Sequence, residues 1–405
     1  MGWDHAAVSD EPVRYHGVSK RLTERVSPLE LFFDLVFVLA ITQCTALMAD
    51  DPTWAGLTRG LLVLAVLWWA WVGYAWLTSV IDPEEDAVRL AVFVAMAAFL
   101  VVSLCIPQAF GDLGLLFALA YAVVRTGQIM LFVLGSPDDP QLRHSVIGLA
   151  ISSAIGVTLL VIASFLDGPA QGALWALAIV LDVGGPFLFG SDGWKLVPGH
   201  FAERHGLIMI IALGESIVAI GVGAGGIEIG SGVISVAVMG VFLAAAMWWA
   251  YFDVVAVAAE RRLARTAPGR EQNDLARDAY SYMHLIMVAG IVLTALGLKK
   301  SIAHVTDALH LETAAALCGG VALYLIGHVL FRWRVTHTVN RERLGVAVLL
   351  LAVIPVATQI PAWVSVLIVL VLMVGIVAYE TTAWAETRDR IRHRPDEPPA
   401  DGEIR

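Results

Sequence analysis

Twelve stretches of this chain are close to the length that spans a bilayer, and they carry almost no charge. They lie at about 27–48, 57–81, 88–107, 112–135, 144–166, 171–190, 205–224, 231–256, 280–298, 311–333, 344–360 and 362–380. An α-helix needs roughly 20 apolar residues to cross the hydrocarbon core. In lipid a spanning chain must satisfy every backbone polar group internally, which leaves helices or closed barrels. Runs this long and this apolar dictate an all-α polytopic membrane protein. The last two runs are separated by little more than Ile360-Pro361, so eleven crossings with one broken final hairpin is a second count.

Composition agrees. The 405 residues are 58% hydrophobic and only 15% charged, where a soluble domain is near a quarter charged. The polar stretch before residue 27 has no short apolar core followed by a cleavage site, so the first run is expected to stay as a membrane helix. Cys44, Cys105 and Cys318 all fall inside apolar runs, which argues against disulfides and against a paired-cysteine metal site.

Lys and Arg gather in cytoplasmic connections of membrane proteins. With both termini placed in the cytoplasm, the tails and even-numbered connections hold 22 of the 26 basic residues, against 3 in the odd-numbered ones. The remaining one, Arg125, lies within a helix. The chain also reads as duplicated. W68-W-A-W-V-G-Y74 in the second run matches W248-W-A-Y-F-D253 in the eighth. Tyr121 and Arg125 in the fourth match Tyr324 and His328 in the tenth. Asp34 precedes its Trp pair by 34 residues, and Glu215 precedes the other by 33. The expected organisation is a cytoplasmic tail (1–26), a first six-helix repeat (27–190), a linker (191–204), a parallel second repeat (205–380) and a cytoplasmic tail (381–405). Duplicated halves of this kind are a common transporter design, with the site where they meet.

Ionisable residues inside a membrane are the strongest functional pointers. Here they are Glu30, Asp34, Arg125, Asp182, Glu215, Asp253, His284 and His328, with His144, His200, Glu203, Arg204 and His205 at helix ends or in the adjoining loop. Glu30 and Asp34 share a helix face one turn apart. Counted along the helices, they lie within roughly 10 Å of the cytoplasmic side. Glu215, Arg125, Asp182 and His328 count to the midplane. This predicts a polar cavity open to the cytoplasm under an apolar plug, with Arg125 as counter-charge to Asp34, Asp182 or Glu215. Trp68, Trp69, Trp71 and Trp76 span too much of one helix for an interfacial belt. They are either plain packing or, with Tyr121, Trp248 and Trp249, an aromatic wall beside that cavity. His200, Glu203 and His205 have a conceivable ligand spacing, but no HExxH, CxxC or DDxxD accompanies them, so no metal or cofactor is expected.

The segments S27-P-L-E-L-F-F-D-L-V-F-V and E203-R-H-G-L-I-M-I-I-A-L-G-E-S-I-V, with the W-W-A-W and W-W-A-Y stretches, resemble the bacterial low temperature requirement protein A family. The resemblance implies a polytopic protein of the bacterial cytoplasmic membrane and supplies no catalytic residues. L29-E-L-F-F-D-L-V-F-V-L-A-I-T is also similar to the first helix of a lysosomal and bacterial potassium channel family built on six-helix repeats. Phe33 stands where that signature has Ser, and Gly214-Glu215-Ser216 departs from its second-half motif. This likeness points toward permeation.

Three functions are open. The first is a secondary transporter or channel for a small cation or solute, with Glu30, Asp34, Glu215 and Arg125 as the coupling site. The second is an intramembrane enzyme acting on a lipid or isoprenoid from the cytoplasmic side, with carboxylates as acid and base. The third is a sensor or structural protein in which the acids fix helix register. Expected partners are membrane lipid and a small ion or small-molecule ligand. Nucleic acid is excluded, and a homodimer is open to such a chain. Cavity shape separates the three.

Overall fold

The computed structural model describes residues 25–135, 140–190 and 193–393. Among these, all regular structure is helical apart from one isolated bridge, Ala308 to Pro361. Residues 1–24 and 394–405, most of the first expected tail and about half of the second, lie outside the described residues.

The first half comprises α1 (Pro28–Asp50), α2 (Trp54–Val80), α3 (Asp86–Cys105), α4 (Gly114–Gly135), α5 (Pro140–Ala163) and α6 (Gly168–Phe189). The second comprises α7 (Pro198–Gly223), α8 (Ser231–Phe252), the short α9 (Val255–Arg265), α10 (Arg270–Ala303), α11 (Leu311–Thr336), α12 (Arg341–Ala357) and α13 (Ala362–Ala383). The short α14 (Ala385–His393) follows. Among the described residues, eleven helices are long and apolar enough to cross a membrane. The twelfth expected crossing is α12, whose 17 residues fall just short. At 1.5 Å per residue it reaches about 26 Å. It is a separate helix from α13, and eleven, the second of the two expected counts, is the number of helices that meet the length.

Local sequence explains where key helices start. Ser27 N-caps α1, Pro28 follows it, and Glu30 completes a capping box by accepting from the Ser27 backbone N–H at 2.9 Å. Pro198 opens α7, so residues 198–204 of the expected linker are helical. The stretch 257–278, between the eighth and ninth expected runs, is also mostly helix, formed by α9 and the start of α10. Asn340 caps α12 through the Arg343 N–H at 2.9 Å.

Helix order is similar in the two halves. In the first, α1 packs on α2 and α3, then α3 on α4, α4 on α5 and α5 on α6. In the second, α7 packs on α8 and α10, then α10 on α11, α11 on α12 and α12 on α13. The halves meet where α1 touches α7 and α10, and where α2 touches the same two helices. α2 is the most enclosed helix, and α6 and α13 are among the least.

Two helices depart from α geometry. A π-helical section in α10 runs Ala276–Met283, and a shorter one in α11 runs Ala315–Gly319. Such sections displace backbone carbonyls from the regular ladder. In α10 the Ser281 carbonyl accepts the Trp68 indole N–H at 2.7 Å, and the Ser281 hydroxyl accepts that of Trp76 at 3.1 Å. The π section thus anchors α2 to α10.

Association of helices in lipid lacks the hydrophobic drive of water and depends on close packing. The α10–α11 contact meets this need with glycines. A Cβ on Gly290 would sit 2.6 Å from the Gly320 carbonyl oxygen and the Tyr324 nitrogen, both backbone atoms. Gly290→Ala is therefore expected to cost about 1–3 kcal/mol through overpacking. Gly345→Ala, where nothing lies within 4 Å, should leave stability unchanged. Thermal unfolding of both variants in detergent checks this.

Candidate functional site

The two carboxylates of α1 are buried at the junction of the halves, against the first turns of α7. Glu30 and Asp34 are 2% and 0% exposed, and His200 and Arg204 are 0% and 1%. Because α7 starts at Pro198, His200 and Arg204 stand one turn apart on one face, matching the one-turn spacing of the acids. Arg204 reaches Glu30 Oε1 at 3.2 Å and Asp34 Oδ1 at 2.9 Å. His200 Nε2 lies 2.9 Å from the same Glu30 oxygen, and its Nδ1 lies 3.0 Å from Ser79 Oγ. The Trp71 indole N–H donates to Asp34 Oδ1 at 2.8 Å. Arg204 also lies over the Trp71 ring, 5.6 Å from its centroid. Asp34 Oδ2 is buried with no hydrogen-bond partner.

The charges of this cluster decide what it can do. Among these four side chains, two ionised carboxylates and one guanidinium sum to one negative charge, and buried charges are stable only when answered by a counter-charge or hydrogen bonds. The surroundings of His200 let both of its ring nitrogens donate. Its Nε2–H can donate to Glu30. The Ser79 hydroxyl points its own hydrogen toward Ala75 O at 3.0 Å, which leaves Ser79 Oγ free to accept from Nδ1–H.

A file of aromatic and imidazole rings leads from this cluster into the second half. His205 packs edge-on to Trp71, with centroids 5.1 Å apart, and 5.2 Å from the His284 ring. The Tyr251 hydroxyl donates to His284 Nε2 at 2.8 Å, and the Tyr251 ring lies 5.8 Å from His328. His328 Nδ1 accepts from Arg343 at 2.8 Å, and Arg343 pairs with Glu380 at 2.7 Å. The partners fix the neutral tautomers, because a carbonyl only accepts and a guanidinium only donates. His205 and His284 carry hydrogen on Nδ1, facing the carbonyls of Phe201 and Ala279. His328 carries it on Nε2. His205 Nε2, His328 Nε2 and the Tyr280 hydroxyl are buried without partners.

The remaining predicted residues separate into other places. Arg125 pairs with Asp182 at 3.0 Å, with Ser153 and Gln128 as further partners. It is therefore not the counter-charge of Asp34, which takes Arg204. Glu215 accepts from Thr42 at 2.6 Å. It lies eleven residues beyond Arg204, or about 16 Å along α7, so the expected coupling set of Glu30, Asp34, Glu215 and Arg125 is three sites. Asp253 binds Arg388 and Arg392 of α14. Those hydrogen bonds hold the Arg388 guanidinium above its ordinary range. The aromatic wall is not one surface. Trp68, Trp69 and Tyr121 are buried, while Trp248 and Trp249 are 45% and 42% exposed. The acid cluster adjoins a void of only about 10 Å³, not the open polar cavity expected there. His200 and His205 face different partners. Among the described residues no three His, Cys, Asp or Glu groups are arranged to hold a metal.

Sequence reading missed Arg204 and His200 as buried cluster members, and it missed the Arg343–Glu380 pair. Pro198 was the available signal for the first two, since proline favours the opening turn of a helix.

The two sequence segments that meet at this cluster are Ser27–Val38 and the start of Glu203–Val218. A model of the bacterial low temperature requirement A protein (LtrA) matches residues 25–378, taking in both. The chain belongs to the LtrA family. It is also 31% identical over 326 residues to an uncharacterized protein, RA0937, of Rhizobium meliloti (strain 1021), covering 77% of this chain and 78% of that one. No solved structure matches. The chain is thus an integral membrane protein of the LtrA family whose two longest signatures supply Glu30, Asp34 and Arg204 of its central ion cluster, with His200 just ahead of the second.

The Arg125–Asp182 pair makes a separable prediction. Arg125→Met strands a buried carboxylate and should cost about 3–5 kcal/mol, and Asp182→Leu in the same chain should recover most of that loss. Resistance to unfolding in mixed micelles reads both. Equal losses in the single and double variants would count against the pair.

Proposed function

We propose that this LtrA-family protein is a secondary transporter or channel for a small cation or solute, caught occluded, and that its coupling site is the Glu30–Asp34–His200–Arg204 cluster. The observation that carries this reading is the origin of the four residues. Two come from the first helix of one half and two from the first helix of the other. A cluster so placed responds both to protonation and to relative movement of the halves. Its two carboxylates and its imidazole can gain or lose a proton, and a charged form favours a state in which the cluster meets water.

The supporting architecture is two parallel six-helix repeats with both termini on the cytoplasmic side of the inner membrane. The matched order of helix packing in the two halves favours this. So do the buried pairs. In the first half an acid of the sixth helix, Asp182, meets a cation of the fourth, Arg125. In the second half an acid of the last helix, Glu380, meets Arg343, which in turn holds His328 at the position matching Arg125. The asymmetry of Lys and Arg supports the orientation. Glu215, about 16 Å further along α7, is a second polar station on the same route.

The test is ion and proton flux in liposomes holding the purified chain, followed from about pH 5.5 to 8, the range in which histidine changes charge. Wild type should show flux that varies with pH. Asp34→Asn keeps the shape of the cluster and removes one ionisable group, and it should abolish the pH dependence. Folded wild-type protein that passes no ion or proton would overturn the proposal and leave a lipid-directed enzyme as the reading to pursue.

A further inference from the structure

A cavity of about 160 Å³ lies away from the acid cluster, inside the second half. It has room for several waters or a small solute. Its lining comes from one end of the helix bundle. Trp249 is in the last turn of α8, Thr336 ends α11, Arg343 is in the first turn of α12, and Thr381 is in the last turn of α13. The space therefore sits near one face of the membrane-spanning part. At that face α14 adds Thr387, Arg388 and Ile391 to the wall.

The α14 helix is built unlike the rest. It has 9 residues, too few for a helix to persist alone in water. None of its described side chains, from 385 to 392, is buried. It follows α13 through Trp384, a single residue outside helical geometry at φ −115° and ψ 27°. A segment with so few buried contacts belongs to the part of a fold that opens first.

A tether to α8 runs through Asp253. Arg388 donates to Oδ1 through Nη2 at 2.9 Å and to Oδ2 through Nε, and Arg392, one turn on, reaches Oδ1 at 3.2 Å. Asp253 stands at the C-terminal cap of α8, the end where the helix dipole disfavours an anion. The two arginines offset that. Thr387 and Ile391, also one turn apart, line the cavity beside them. A bidentate arginine–carboxylate contact is among the strong ion pairs, yet these side chains keep some contact with solvent, so the tether can be released.

We propose that α14 is a lid, hinged at Trp384 and latched at Asp253, that governs entry of water and small water-borne solutes to this cavity. Arg343, Glu380 and His328 line the space behind it, so opening exposes the buried ion pair of the second half to the aqueous phase. The lid is independent of the transport reading and is tested without measuring flux.

The experiment uses full-length protein in phosphatidylcholine nanodiscs with one cysteine placed in the cavity wall, by Thr381→Cys on α13 or Val335→Cys on α11. A water-soluble methanethiosulfonate bearing a trimethylammonium group is added, and the rate of mass gain is followed and assigned to its peptide. Cys44, Cys105 and Cys318 are buried and report on the rest of the fold. Asp253→Asn should speed labelling of either cavity cysteine about tenfold, as expected for loss of a charged hydrogen bond. Arg388→Gln with Arg392→Gln should do the same. All three changes together should go no faster, because they release one contact. Glu386→Gln, exposed on the same helix, should leave the rate unchanged. Equal rates with and without the latch would overturn the proposal. So would a gain from Asp253→Asn that the arginine changes do not reproduce, or labelling of Cys318 that rises in step with the cavity cysteine, which marks a loosened bundle. The two reporters lie on different helices, so if one misfolds the other decides.

Discussion

Glu30 and Asp34 can be buried together only because α7 delivers a guanidinium and an imidazole to them. Two carboxylates one helical turn apart repel each other, and removing them from water costs several kcal/mol per ion. Arg204 offsets this for both by bridging Glu30 and Asp34 through its two terminal nitrogens. The geometry depends on backbone details at the two helix starts. Glu30 also closes the capping box of α1, so the residue that fixes where α1 begins also meets His200. Pro198 fixes the phase of α7. A change in either start rotates the partners out of reach, and the contact of α1 with α7 loses its polar centre.

Elsewhere the fold follows the physics of helices in lipid. Packed apolar faces gain little over contact with acyl chains, so small residues and polar pairs must hold helices together. The α10–α11 contact is made by glycines. Pairs such as Arg125–Asp182 and Arg343–Glu380 tie the later helices of each half. The tryptophans of α2 do both jobs. Their rings fill the enclosed centre of the molecule, and their N–H groups reach Asp34 on one side and the π section of α10 on the other. Trp71 therefore links packing to the ion cluster. A phenylalanine there would keep most of the volume and leave Asp34 Oδ1 with one donor fewer.

Much of this was legible in the sequence, and the reason for each miss is specific. Apolar run length gave the helices because nothing in lipid competes with that signal. It failed at α12, where the run includes Pro355 and ends early, and at α7, where it began too late. The turn from Pro198 to Arg204 is polar by composition but helical and buried, because its charges are answered by α1. Hydropathy cannot register charges that a distant helix neutralises. The same blindness left Arg125 open to Asp34, Asp182 or Glu215. All three are acids within the apolar runs, and Asp182, which faces Arg125 from α6, is selected by packing alone. Glu380 was read as the end of a run, and Arg343 as one more basic loop residue. Only the approach of α12 to α13 makes them a pair.

The junction also limits how the two halves can move. α1 and α2 are joined to α7 and α10 by the ion cluster and by the indole bonds to Ser281, so separating the halves must break charged contacts before apolar ones. For the proposed transport cycle this matters, because a change in the charge of these four residues, buried beside a void too small to hydrate it, would favour their exposure to water. The acids and the bases of the cluster come from different halves, so exposing it and parting the halves would be one event.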